Sequence, residues 1–200
     1  VVVLQVARHP PDMLKEYLKG WHWRQESGLM IGSKWPLGET MLCHTSPYSR
    51  NTAFAVELDA PGGAITLGNV HLMTARRGLT DLSISSILDG SGPASVEHHA
   101  FLRDEEARQT QRFLSEVSQG LPLIVAGDFN MPSTSSIFTD CFGSYSDAFD
   151  KAGIGFGYTA PCRRVRFWLP EVPWLRIDHI LTSGHWETLR CEAGKLNGSD

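Results

Sequence analysis

The chain has 200 residues, 42% of them apolar and 20% charged, with a formal net charge of −4. That length and apolar content suit one globular core and exclude disordered and fibrous classes, and no apolar run nears the about 20 residues a bilayer-spanning helix needs. The small negative charge excludes the strongly basic surface of a general nucleic-acid binder, so a phosphate-bearing substrate has to be held locally.

Residues 1–5 are β-branched and continuous, the pattern of a strand covered on both faces. Val1-Val2-Val3-Leu4 begins in mid-strand with no Met, so further residues are expected upstream, and a targeting or membrane segment among them stays an open alternative to a cytoplasmic protein. Residues 12–19 place Met13, Leu14, Tyr17 and Leu18 at helical spacing. Residues 28–33, 40–44, 52–58 and 64–72 are strand-like, with Asp59-Ala60-Pro61-Gly62-Gly63 supplying a hairpin turn. A short helix is expected over 79–88 and a long one over 96–117, separated by the breaker Asp89-Gly90-Ser91-Gly92-Pro93. In the long helix Phe101, Leu102, Ala107, Phe113, Leu114 and Val117 make the apolar face, with Arg103, Asp104, Glu105, Arg108 and Glu116 mostly opposite. A central strand over 121–126 ends in Gly127-Asp128-Phe129-Asn130, and strands are expected over 176–182 and 186–192. Trp21, Trp23 and Trp35 are assigned to core packing or the sheet rim. Many strands with interspersed helices suggest two packed sheets with helices outside them.

Cys43, Cys141, Cys162 and Cys191 form no CxxC pair or zinc spacing and are read as reduced. Asp128 and Asn130 leave an apolar strand two positions apart, which points a carboxylate and an amide to one side if the extension persists. The competing reading is an Asx-type turn in which both merely satisfy loop backbone. Asp178 interrupts the apolar pattern of 176–182, where it could simply pair with Arg176. A single His71 at a strand end is more often structural than catalytic. Arg163-Arg164-Val165-Arg166-Phe167-Trp168 is the one basic and aromatic concentration. Arg163, Arg164 and Trp168 could grip a phosphate or stack on a ring; the competing reading is a solvated loop with its aromatic residues tucked into the core. Arg76-Arg77 carries a weaker version of the same claim.

Taken together and in order, Asn69-Val70-His71-Leu72, Gly127-Asp128-Phe129-Asn130, Arg176-Ile177-Asp178-His179-Ile180-Leu181 and Ser199-Asp200 resemble the motifs of the endonuclease/exonuclease/phosphatase superfamily. The first strand and Gly32-Ser33-Lys34-Trp35-Pro36-Leu37 extend the likeness over nearly the whole chain. The resemblance implies an α/β (α+β) fold: a two-sheet β-sandwich flanked by helices, the four-layer DNase-like arrangement, here one domain over 1–200, incomplete at both ends. It also implies a monomeric, metal-dependent hydrolase of phosphate esters acting by attack of activated water. His71 would donate to phosphoryl oxygens, Asp128 and Asn130 would position or activate the water, and Asp178 would orient a catalytic histidine. Asp200 with Asp128 would hold Mg2+ or Mn2+. Substrates in the superfamily include nucleic acid, phospholipid and inositol-phosphate esters, among which no residue here chooses.

Two departures weigh against activity. The superfamily's metal-ligand Glu is Val6 here, with Glu26 a poor substitute, and the histidine that usually follows the closing Ser-Asp lies past Asp200. A catalytically degenerate binding or scaffold domain is the alternative.

Overall fold

The β-branched start forms β1 (Val2–Leu4), and the helical spacing after it forms α1 (Asp12–Tyr17), in a computed structural model that describes residues 1–5, 12–160 and 174–194. β2 (His22–Glu26) and β3 (Leu29–Ser33) close a hairpin over Ser27 and Gly28, whose φ values of 51° and 84° give a turn with the twist antiparallel strands need. β1 pairs with the other edge of β3, completing a three-stranded sheet in the order β1-β3-β2.

β4 (Leu37–Thr45), β5 (Arg50–Ala60) and β6 (Gly63–His71) run as an antiparallel meander. α2 (Arg76–Thr80), α3 (Ile84–Leu88) and α4 (Ser91–Ser118) then carry the chain over the sheet to β7 (Leu123–Asp128). β7 lies parallel to β6, and only a crossover of this kind can join parallel neighbours. α5 (Ser136–Phe142), β8 (Ser146–Asp147), α6 (Ala148–Ala152) and β9 (Asp178–Thr182) follow. The second sheet has six strands in the order β4-β5-β6-β7-β9-β8.

Leu29 and Ile31 of β3 meet Phe54, Val56 and Leu67 between the two sheets. On the opposite face of the larger sheet, Val70, Val125 and Leu181 pack with Ala107 and Leu114 of α4 and with Phe138 and Phe142 of α5. Leu18, just past α1, lies against Gly32 of β3. The layers therefore run helices, six strands, three strands, helix, which is the expected helix-flanked sandwich. Asn69 joins the sheets: its Nδ2 donates to the carbonyls of Leu4 and Met30 at 2.9 Å each, and its Oδ1 accepts from Gln5 Nε2 at 2.8 Å. It is fully buried.

Several elements differ from expectation. The helix expected over 79–88 is two, because Ser83 caps α3 in a reciprocal box with Ser86, offering the backbone a local alternative to continuing. α4 starts five residues earlier than expected, at Ser91. Pro93 falls in its first turn, where the missing N–H costs nothing. Residues 186–192 form no strand beyond the single bridge from Cys191 to Gly153. Both edges of β9, their nearest candidate partner, are already taken by β7 and β8. Of the two positions expected for the tryptophans, core or sheet rim, Trp23 and Trp35 take the exposed rim.

Candidate functional site

The meander and its crossover bring three of the expected residues into one row. His71, the last residue of β6, is the register partner of Asp128, the last of β7, and Asp128 is the partner of Asp178, the first of β9. Register partners on neighbouring strands project to the same face. His71 Nε2 lies 3.9 Å from Asp128 Oδ2, and both side chains are about a quarter exposed, at 28% and 24%. The strands can approach this closely because Gly127 stands opposite Val70: a Cβ at Gly127 would fall 2.0 Å from the Val70 carbonyl oxygen.

Asn130 reaches the same place by turning rather than by extension. The strand ends at Asp128, Asn130 takes a left-handed φ of 52°, and its N–H donates to Asp128 Oδ1 at 2.8 Å while its Nδ2 donates to Asp128 Oδ2 at 3.1 Å and to the Leu72 carbonyl at 2.9 Å. The Asx-type turn is thus formed, and it is what sets Asn130 against Asp128. Arg176 does not pair with Asp178. It bonds Asp147 at 2.6 Å and also Asp150. The backbone N–H groups of Ile177 and Asp178 donate to the Thr159 hydroxyl at 3.1 and 3.2 Å.

The electrostatics of the row follow from its burial. Burial and then the charge of Asp178 push the Asp128 carboxyl up to about 7, against smaller opposing effects of the Asn130 N–H, Arg50 and Arg76. Burial also raises Asp178, against a hydrogen bond from Thr159. His71 is lowered from its ordinary value by burial and then by the Arg50 cation, so at neutral pH it is an uncharged ring with one N–H to give. An acid near 7 beside a neutral imidazole can take a proton from water and donate a hydrogen bond to an oxyanion.

Three residues that sequence reasoning missed stand behind the row. Glu106 of α4 is 1% exposed and accepts from Arg50 Nε at 3.0 Å and from the Met73 N–H at 2.7 Å. Arg50 also donates to the His71 carbonyl. Arg103, expected on the outward face of α4, instead reaches the Met73 and Asn130 carbonyls at 3.0 Å each. The available signal was an acid at 106 in register with Thr110 and Leu114 along the buried stripe of the helix.

Asp200, Val6 and the segment with Arg163, Arg164 and Trp168 lie outside the described residues. Glu26 is exposed at the end of β2, two strands away from β1. Asp128 and Asp178 offer two hard-oxygen donors to one space, and a divalent cation relieves the repulsion between such a pair. Among the described residues no group of three or more His, Cys, Asp or Glu is arranged to hold a metal ion. A cleft of about 450 Å³ between the sheets is lined by Val3, Gln5, Ala126, Thr159, Arg176 and Asp178 among others. Asp178 joins it to the row. Among the described residues no helix is long and apolar enough to cross a membrane.

The model of the Endonuclease/Exonuclease/phosphatase family matches residues 5–200, and the chain belongs to that family. Its members are generally hydrolases acting on phosphate esters and typically use divalent metals. No curated protein matches the sequence. Among similar solved structures, the human Nocturnin catalytic domain with bound sulfate anion gives a TM-score of 0.60 at 18% identity, covering 92% of this chain and 68% of that one. A point variant of the Neisseria 3′ phosphatase NExo bound to product DNA hairpin gives 0.59 at 16% identity, covering 91% and 73%. A β-hairpin deletion mutant of Staphylococcus aureus beta toxin gives 0.55 at 15% identity, covering 87% and 62%. These likenesses are of fold.

Proposed function

We propose that the chain hydrolyses a phosphate ester by attack of water at the row His71–Asp128–Asp178 with Asn130 beside it. One observation carries the reading: three ionisable residues remote in sequence are register partners on adjacent strands, and the central one, Asp128, is held near 7. Asp128 would accept the proton of the attacking water, an efficient role for an acid whose pKa lies close to neutrality. Asn130, fixed to both Asp128 oxygens through its own N–H and Nδ2, would keep that carboxylate aimed. His71 would donate its N–H to a phosphoryl oxygen, and Asp178 would orient a histidine from outside the described residues. Asp128 together with Asp200 would hold Mg2+ or Mn2+, which neutralises phosphate charge when bound. Candidate substrates are phosphate esters of nucleic acid, phospholipid or inositol. Arg76, exposed at the start of α2 and close enough to lower the Asp128 carboxyl, gives such a substrate a local cation that the net charge of −4 does not.

The test is hydrolysis of bis(p-nitrophenyl) phosphate and p-nitrophenyl phosphate with Mg2+, with Mn2+ and with EDTA, alongside Asp128→Ala. Turnover that requires the metal and drops about 10³-fold in the variant supports the reading. No turnover, or equal turnover in Asp128→Ala, favours a binding or scaffold domain.

A further inference from the structure

From the His71 carbonyl to the Met73 carbonyl, every polar main-chain group has a protein partner, although this is a loop at the mouth of the site. The His71 carbonyl accepts from Arg50, and the Leu72 N–H donates to the Asp128 carbonyl at 2.9 Å. The Leu72 carbonyl accepts from Asn130 Nδ2 at 2.9 Å, the Met73 N–H donates to Glu106 at 2.7 Å, and the Met73 carbonyl accepts from Arg103 at 3.0 Å. Loops usually leave such groups to water. Arg103 also holds the Asn130 carbonyl, at 3.0 Å. One residue of α4 therefore grips both loops that carry the polar site residues, the one after β6 and the one after β7. Glu106, one turn further along α4, is the anion that keeps Arg50 compensated while it grips His71 from β5.

We infer that Arg103, Glu106 and Arg50 are positioning residues that set His71 and Asn130 against Asp128 through the backbone of residues 71–73 and 130; this rests on the phosphoesterase reading of the row. None of the three reaches the reacting atoms. They act by fixing carbonyl and amide positions, and the planar fork of Arg103 suits the task because it spans two carbonyls belonging to different loops. A lysine has the charge but places one ammonium where two N–H groups are needed. Misplacing catalytic groups by about 1 Å costs on the order of 100-fold in rate, so small loop shifts are enough to be read.

The experiment pairs kinetics with amide hydrogen exchange on the full chain. Arg103→Lys and Glu106→Gln are expected to lower kcat by about 10- to 100-fold with KM nearly unchanged. Arg108→Lys, on the exposed face of the same helix, leaves kcat as it is. Combining Arg103→Lys with Asn130→Ala should lose less than the product of the two single losses, because part of the clamp acts through residue 130 and the rest through Met73. In Glu106→Gln the Met73 amide should exchange roughly 10-fold faster or more, while the Val125 amide in the centre of β7 does not change. Met73 exchange equal to wild type overturns the clamp. Faster Met73 exchange with kcat intact reduces it to a stability device and overturns the inference, as does a double variant whose losses simply multiply. A wild-type chain with no turnover removes the phosphoesterase reading, and the catalytic use of the clamp with it. Met73 exchange then still decides separately whether the clamp holds the backbone.

Discussion

Asp128 and Asp147 lie on either side of β9 in the same sheet, on β7 and β8, and both are withdrawn from water, yet their acidities move in opposite directions. Burial raises both. At Asp147 it is outweighed by hydrogen bonds from His179 and Arg176, at 2.7 and 2.6 Å, and by their charges, so the carboxyl is held down at about 2. The same side chain caps α6, accepting from the Phe149 and Asp150 N–H groups at 2.9 and 3.3 Å. At Asp128 the neighbouring charge of consequence is another carboxylate, Asp178, and the group rises to about 7. Burial alone does not fix the direction in which an acid shifts; the sign of its partner does.

Substitution sharpens the contrast, and the largest effect belongs to Asp128. Asp128→Asn is expected to cut hydrolytic turnover about 10³-fold while raising the urea midpoint at pH 8; turnover near wild type would erase the distinction between the two acids. Asp147→Asn should do the reverse. It leaves His179 without its anion and Arg176 with Asp150 alone, and costs roughly 3 kcal/mol in stability by urea unfolding, with turnover per folded molecule retained. A free energy of unfolding close to wild type would show that pairing is not what holds Asp147 down. His71→Gln is next, with an expected loss of about 100-fold in kcat and little change in KM if its N–H serves the developing charge as proposed.

The pH dependence of stability is the smallest effect and carries opposite signs for the two residues. Asp128 has a folded value above its unfolded one, so as pH rises from about 4 through 7 the unfolded chain ionises first and stability is lost. Asp147 has a folded value below its unfolded one, so its contribution is present above about 4 and is lost as pH falls towards 2. Thermal unfolding between pH 2 and 8 should therefore flatten on the alkaline side in Asp128→Asn and on the acid side in Asp147→Asn. The same titration predicts an acid limb near 7 in kcat/KM that moves down when Mg2+ is added. A limb that ignores the metal would separate Asp128 from the cation.

The parts of this molecule that sequence made legible are those where one residue type implies one geometry. The apolar run ending at Gly127-Asp128 is a strand, Asp59-Ala60-Pro61-Gly62-Gly63 turns a hairpin, and the ordered motifs containing His71, Asp128 and Asp178 do converge on one row. Less legible were elements decided by partners distant in the chain. β2 has little apolar content in His22-Trp23-Arg24-Gln25-Glu26, and its one local cue is the Ser27-Gly28 turn. Residues 186–192 have a strand-like pattern, but both edges of β9, the strand just before them in the chain, are already taken by β7 and β8. Arg103 looks like a solvated charge by helical period, because periodicity fixes where the Cα sits and not where a long side chain ends.

Asn69 sits two residues before His71 on β6, and its single carboxamide is bonded to the backbone of β1 and β3 and to Gln5. With its amide nitrogen and its oxygen both engaged near that crossing, the two layers are riveted beside the site. Those three hydrogen bonds oppose separation of the sheets at the end where His71 lies. On the phosphoesterase reading, selection among substrates would then rest with the loops at the mouth of the row and not with the angle between the sheets.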